Sequence, residues 1–347
     1  MLDYYAGYST GYSAGYVAAR QRASVDNDCA LYALTPSRRL PPIKKNGIYA
    51  VSQWMYRRLS DHVFSTQNVS RATHLVATYD DASRALAHAF ASGIQPHKIV
   101  ILDFAPGCRA LDPRLHRVRL ETSHCRARRG YDILVPHTAS RFGRPRRLAE
   151  RTLRDMLVSF WGHLSRPYID PPRCMVRYRL WRAMRDERDC DVGAYDVEGS
   201  VNAFTTSDPH KQCNPCSYAC KTCYYEPFSN ASQVQRNQAL LTHTQFLQRM
   251  RRSKFCVAAR GDNPGSPKLG ESILSGCVPL IVMDQDLPFE RHLNYSAFSI
   301  RFRVDEVLRD PSVVLRTARG VSPSRLATMQ RALLDAAPYF DYHDHDT

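Results

Sequence analysis

The chain has 347 residues, enough for two domains that each bury a core; 44% are apolar, yet no apolar run is long enough for a membrane helix. Its 48 basic residues outnumber the 33 acidic ones for a formal net charge of +15. Such a surplus fits an acidic polymer or phosphorylated ligand, a nucleic acid, or a bias of composition. The arginine-rich stretches Arg126 to Arg129 and Arg141 to Arg154 lack interleaved aromatics and belong to no nucleic-acid module, so nucleic acid is not an expected partner.

In chain order, residues 1–44 are low in aliphatics and close on Pro41-Pro42, which predicts a disordered leader. Met1 to Tyr16 has neither the basic start nor the apolar centre of a secretory signal. A first domain is expected over 45–150. Trp54, Leu59 and Val63 share one helical face, and His74 to Thr78 reads as a buried strand that runs out toward Asp80. Ala82 to Phe90 is helical until Gly93, Ile99 to Leu102 is a strand ending at Asp103, and Asp132 to Val135 is a strand stopped by Pro136-His137. Strand, helix and strand joined by short links predict a parallel α/β layout.

A second domain is expected over 151–330. Met156 to Gly162 is a strand, and Arg173 to Met184 a basic helix with Val176, Leu180 and Ala183 on one face. Residues 185–235 form a polar, turn-rich, cysteine-bearing insertion too long to be a plain connector. Thr242 to Met250 and Ala327 to Leu334 are helices, and 331–347 is a C-terminal tail.

Eleven cysteines are many for a chain in a reducing compartment. Cys213, Cys216, Cys220 and Cys223 form two C-x-x-C pairs only three residues apart, with Cys190 upstream. Zinc is one reading, but a four-thiolate cage over so short a link is cramped, and disulfides fit better in an oxidising compartment. Three N-glycosylation sequons, at Asn68, Asn230 and Asn294, agree with such a compartment. Cys256 and Cys277 read as buried small hydrophobes.

The stretch from Arg252 to Phe289 carries the most chemistry. Phe255 to Ala259 is an apolar strand that breaks into the turn formers Arg260-Gly261-Asp262-Asn263-Pro264-Gly265. Ser266 then occupies a helix N-cap position with Pro267 in the first turn; Gly276 ends the helix, and Val278 to Met283 is the next strand. A helix opening after a glycine-rich turn offers backbone N–H groups to an anion. Arg260 and Lys268 add fixed positive charge there, and Glu271 lies one turn on, within reach of a sugar diol, so Arg260, Gly261, Ser266, Lys268 and Glu271 describe a nucleotide diphosphate site. An ordinary capped crossover with surface charges is the alternative.

The same residues resemble a known family. Ser253-Lys254-Phe255-Cys256-Val257, Arg260-Gly261-Asp262, Lys268-Leu269, Glu271-Ser272-Ile273-Leu274-Ser275-Gly276-Cys277-Val278-Pro279 and Leu287-Pro288-Phe289-Glu290 look like the signature of the exostosin-like glycosyltransferases, family 47, where Arg commonly stands at the Lys268 position. Tyr295 to Ile300, Ser322 to Gln330 and, upstream, Met55 to Leu59, Ala72 to Val76 and Asp132 to Pro136 continue the resemblance.

It implies a GT-B-like α/β fold, two Rossmann-like domains with parallel sheets facing a central cleft, here with the Cys-rich insertion. It also implies an inverting enzyme that moves a sugar from a UDP-sugar co-substrate to a polysaccharide or glycan acceptor, with no further cofactor and no metal, although Asp284-Gln285-Asp286 has the D-x-D spacing. An acceptor-side general base is then required, for which the strand ends supply Asp80, Asp103 and His137. Location in the Golgi lumen, an anchor absent from this chain, and a homo- or heterodimer with another exostosin-like chain are further implications. Two other classes stay open, an inactive scaffold or glycan-binding protein and a zinc-dependent nucleic-acid binder.

Overall fold

The computed structural model describes residues 31–33, 72–78, 82–103, 112–120, 127–128, 131–136, 153–162, 176–194, 243–260 and 265–341. The first unit carries β1 (Leu31–Ala33), β2 (His74–Thr78), α1 (Ala82–Ser92), β3 (Ile99–Asp103), β4 (His116–Leu120) and β5 (Asp132–Val135), together with Asp286–Phe289. The second opens with β6 (Met156–Gly162), α2 (Val176–Met184), β7 (Cys190–Ala194), α3 (His243–Arg252), β8 (Ser253–Ala259), α4 (Lys268–Leu274) and β9 (Val278–Val282). It closes with α5 (Tyr295–Phe298), β10 (Ile300–Phe302), α6 (Val304–Arg309), α7 (Ser312–Arg319) and α8 (Pro323–Ala336).

In the first unit a parallel sheet runs in the order β1-β2-β3-β4-β5. The alanines of α1, Ala82, Ala85 and Ala89, pack with Leu75, Ala77, Ile99 and Ile101 of β2 and β3. Small side chains at one helical spacing let the helix lie close to the strands. Gly93 stops it at φ 69°, a left-handed turn that costs glycine little, and Ile94 donates its N–H back to the Ala89 carbonyl at 2.9 Å. Farther along, the buried surface turns ionic: Arg117 lies 3.9 Å from Asp103 and Arg119 3.9 Å from Asp132, while Arg128 grips Asp132 through two nitrogens at 3.0 and 2.7 Å. Buried charges persist in such a place because each has an opposite partner.

The second unit's sheet is also parallel, in the order β10-β9-β8-β6-β7. Val-Pro-Leu-Ile-Val of β9 is buried along its whole length, the pattern of a strand covered on both faces. From β6 the chain runs outward to β7, then returns and lays β8 on the opposite side of β6. That reversal makes a topological switch point between β6 and β8, and ligands of open α/β sheets bind at the carboxyl ends of the strands beside such a point.

Several sequence expectations need correction. Leu31–Ala33, inside the expected leader, pairs in parallel with β2. Cys190–Ala194, assigned to the cysteine-rich insertion, is strand β7, hydrogen-bonded to β6; residues 195–242 lie outside the described residues. The helix α8 continues through Ala336 into the expected tail. Cys256 and Cys277 are buried but are joined in a disulfide across 21 residues. It ties β8 to the turn before β9, which explains two cysteines 5.7 Å apart at Cα in a crossover that otherwise needs none.

Candidate functional site

Strand β8 delivers Arg260 to the carboxyl edge of the second sheet, one residue past Ala259 and beside the switch point. The Arg260 N–H still bonds the Val282 carbonyl at 3.2 Å, so its backbone is held by the β8–β9 ladder while the residue is buried to 8% exposure. Its carbonyl and that of Ala259 accept from one guanidinium: Arg177 Nε donates to Arg260 O at 2.7 Å and Arg177 Nη2 to Ala259 O at 3.0 Å. Arg177 stands in the first turn of α2, the helix that follows β6. The strands flanking the switch point therefore each contribute an arginine to it, one directly after β8 and one through the helix beyond β6.

The opening of α4 supplies the other groups. Pro267, in αR geometry, holds the cap position where Ser266 was expected. Ser266 is buried one residue earlier, and its Oγ still accepts from the Lys268 N–H at 3.3 Å, so the hydroxyl serves the first turn without being the formal cap. Lys268 Nζ lies 3.1 Å from the Glu271 carboxylate and 3.6 Å from the centre of the Phe246 ring, in the first turn of α3. Burial pushes the Lys268 ammonium below its ordinary pKa and nearby Arg177 acts in the same direction, while Glu271 opposes both. Glu271 is itself buried, and a cation and a carboxylate thus face each other at the mouth of the crossover.

Of the expected donor residues, Arg260, Ser266, Lys268 and Glu271 gather around the end of β8 and the start of α4; Gly261 lies outside the described residues. Of the candidate bases, Asp80 and His137 also lie outside them. Asp103 is fully buried, with Arg117 3.9 Å from its carboxylate. Asp284 accepts from the Val304 N–H at 3.0 Å, a role in holding the start of α6. Among the described residues no group of three His, Cys, Asp or Glu side chains stands ready for a metal.

The cysteine expectations divide. Cys213, Cys216, Cys220 and Cys223 lie outside the described residues, as do Asn68 and Asn230. Cys190, expected in a disulfide, is a free thiol on the edge strand β7, pushed up to about 12 first by burial and then by the Asp189 carboxylate. Asn294 is exposed at the start of α5, and Ser296 Oγ donates to its Oδ1 at 2.6 Å.

Arg177 and Phe246 were not anticipated. The sequence marks α2 as basic, but nothing in it separates Arg177 from Arg179, whose guanidinium bonds the Leu308 carbonyl instead. Phe246 reads as one apolar position of a helical face; its ring packs with Trp161, Leu247, Met250 and the disulfide while an adjoining surface carries Lys268.

A family model described as the Exostosin GT47 domain matches residues 89–317. Among similar proteins of Arabidopsis thaliana, a "Probable arabinosyltransferase ARAD1" is 38% identical over 94 residues, 27% of this chain and 21% of that protein. Two probable glycosyltransferases of the same plant are 29% identical over 99 residues, covering 28% of this chain and 18% of theirs, and 38% identical over 63 residues, covering 18% and 13%. The matched stretches span about a fifth or less of these relatives' lengths.

Proposed function

Because the chain belongs to the exostosin GT47 family, we propose that it is a glycosyltransferase that moves a sugar from a UDP-sugar to a glycan acceptor with inversion. The observation that carries the reading is Arg260 at the carboxyl end of β8, beside the switch point, with its carbonyl fixed by Arg177. A diphosphate there meets charge that is already positioned, so little reorganisation accompanies the departure of UDP. Glu271 takes the ribose hydroxyls and Lys268 the phosphate edge.

In the reaction the acceptor hydroxyl oxygen forms a bond to the anomeric carbon as the bond from that carbon to the β-phosphate oxygen breaks. The hydroxyl proton passes to a base on the acceptor side, and UDP leaves with the electron pair. The parallel sheets support a GT-B-like architecture, and the family supports a nucleotide-sugar donor and a glycan acceptor. A lumenal setting is supported by the Cys256–Cys277 disulfide and the exposed Asn294 sequon. Among the described residues no helix is long and apolar enough to cross a membrane, so the Golgi anchoring in this proposal rests on the family.

The test is calorimetric. Arg260→Ala lowers UDP affinity at least about tenfold, the effect of losing one charge-assisted contact; unchanged affinity removes the phosphate role. One observation favours a binding-only chain, namely that Lys268 is engaged with Glu271 and lacks the two-pronged grip of arginine. Release of UDP from a panel of sugar nucleotides distinguishes turnover from binding.

A further inference from the structure

We propose that Asn294 is a modification site that carries an N-linked oligosaccharide. The inference goes beyond the transfer reaction and rests on the lumenal setting proposed above. Asn294-Tyr295-Ser296 lies where α5 opens, with its outer two residues exposed and Tyr295 between them buried. The Tyr295 ring packs on Phe298 with 5.0 Å between ring centres, and burying it leaves its two neighbours facing solvent.

Among the described residues the two exposed side chains bond only each other. An asparagine at this position ordinarily caps its helix by accepting a backbone N–H, but the Asn294 side chain makes no such bond. Its Oδ1 accepts instead from Ser296 Oγ at 2.6 Å, and its Nδ2 donates to nothing among the described residues. A sugar on Nδ2 leaves Oδ1 and that hydrogen bond in place, so the fold holds a glycosylated Asn294 without rearrangement. Transfer forms a bond from Nδ2 to the anomeric carbon of a polyprenyl-diphosphate oligosaccharide as that carbon's bond to the diphosphate oxygen breaks. The lipid diphosphate leaves with the electron pair, and the amide proton passes to a base on the separate enzyme that makes the transfer. Attachment here also spares the donor site. α5, four residues and about 6 Å long, leads through Ser299 into the amino end of β10, whereas Arg260 stands at the carboxyl edge of the same parallel sheet.

The experiment maps peptides of the full chain, led into the lumen of a eukaryotic cell by an added secretion signal. Trypsin releases residues 292–301 as one peptide that holds this sequon and neither Asn68 nor Asn230. That peptide should carry a glycan, and peptide N-glycosidase in heavy-oxygen water should convert its asparagine to a labelled aspartate. Ser296→Ala should lose the glycan while keeping Asn294, and Ser296→Thr should retain it; Asn294→Gln should lose it. The setting is read separately, by alkylating the unfolded chain to find whether Cys256 and Cys277 were joined. With that disulfide formed, a bare 292–301 peptide, or label that survives Ser296→Ala, removes the modification site and leaves the lumenal reading standing. Free thiols at both cysteines beside a bare peptide remove the lumenal reading, and the site falls with it.

Discussion

At Gly193 on β7 a Cβ would stand 2.2 Å from the Trp161 ring, which lies against the bare backbone there. The ring cannot retreat, because its Nε1 donates to Asp191 Oδ1 at 3.1 Å and the Arg249 guanidinium covers it at 4.8 Å. Gly193→Ala is therefore expected to destabilise the second unit by about 1–3 kcal/mol, measured as a lower urea midpoint with an unchanged slope. Cys190, three residues away, gives the pH-dependent counterpart. Its thiol is raised to about 12 in the folded chain against an ordinary value of 9.0, so the folded state keeps its proton longer than the unfolded one. The associated stability is intact below pH 9 and is lost between 9 and 12. At pH 8 the Cys190 peptide should stay unalkylated in the folded chain and react after denaturation, read by mass spectrometry; equal labelling in both states contradicts the shift. That Arg260 follows the end of β8 and Glu271 lies in the first turn of α4 was legible because turn formers and helix spacing bracket them. The contact of Arg177 was not, because periodicity reports the apolar face of a helix and says nothing of which arginine reaches a strand end 83 residues farther on.

At the scale of elements, the strands of uninterrupted β-branched and aliphatic residues declared themselves, β9 most plainly. β4 did not, because His-Arg-Val-Arg-Leu looks like a half-exposed segment with arginines in water. Its arginines point instead to buried aspartates on β3 and β5, and a single segment does not reveal carboxylates that arrive from its neighbours. β7 was hidden by its cysteine, which drew it into the insertion. The β8-α4-β9 crossover was legible in order and length, but its staple was not: Cys256 and Cys277 sit at apolar positions of their own elements, and only the folded register brings them together. The bridge closes a loop of 21 residues, and a loop of that length restricts the unfolded chain by about 3 kcal/mol. Cys256→Ala with Cys277→Ala should lose close to that in equilibrium unfolding. Because the crossover carries Lys268 and Glu271, UDP should also dissociate faster; a double variant as stable as the parent would mean that packing alone holds the crossover.

Across the whole molecule the cationic surplus has a partly internal explanation. Arginines far apart in sequence donate to backbone carbonyls where regular structure ends: Arg128 to Pro113 and Leu115, Arg154 to Ser253 and Ser275, Arg177 to Ala259 and Arg260, and Arg301 to Met283. Strand and helix ends leave carbonyls without ladder partners, and a planar fork with several donors satisfies two at once. Arg154 gives the sharpest test. It bonds Ser253 O at 2.6 Å, where α3 passes into β8, and Ser275 O at 3.1 Å, after α4, and burial draws its pKa down to about 10. Arg154→Ala should cost about 2–3 kcal/mol, the scale of charge-assisted bonds whose acceptors are left behind. Since the partners are carbonyl dipoles in a partly buried site, most of the loss should persist at 1 M salt, where ions screen exposed charge within about 3 Å. Arg154→Lys should recover part of it, because an ammonium is a point charge and not a fork. A loss that vanished at high salt would instead make Arg154 an ordinary surface charge and return the surplus to the search for a polyanionic partner.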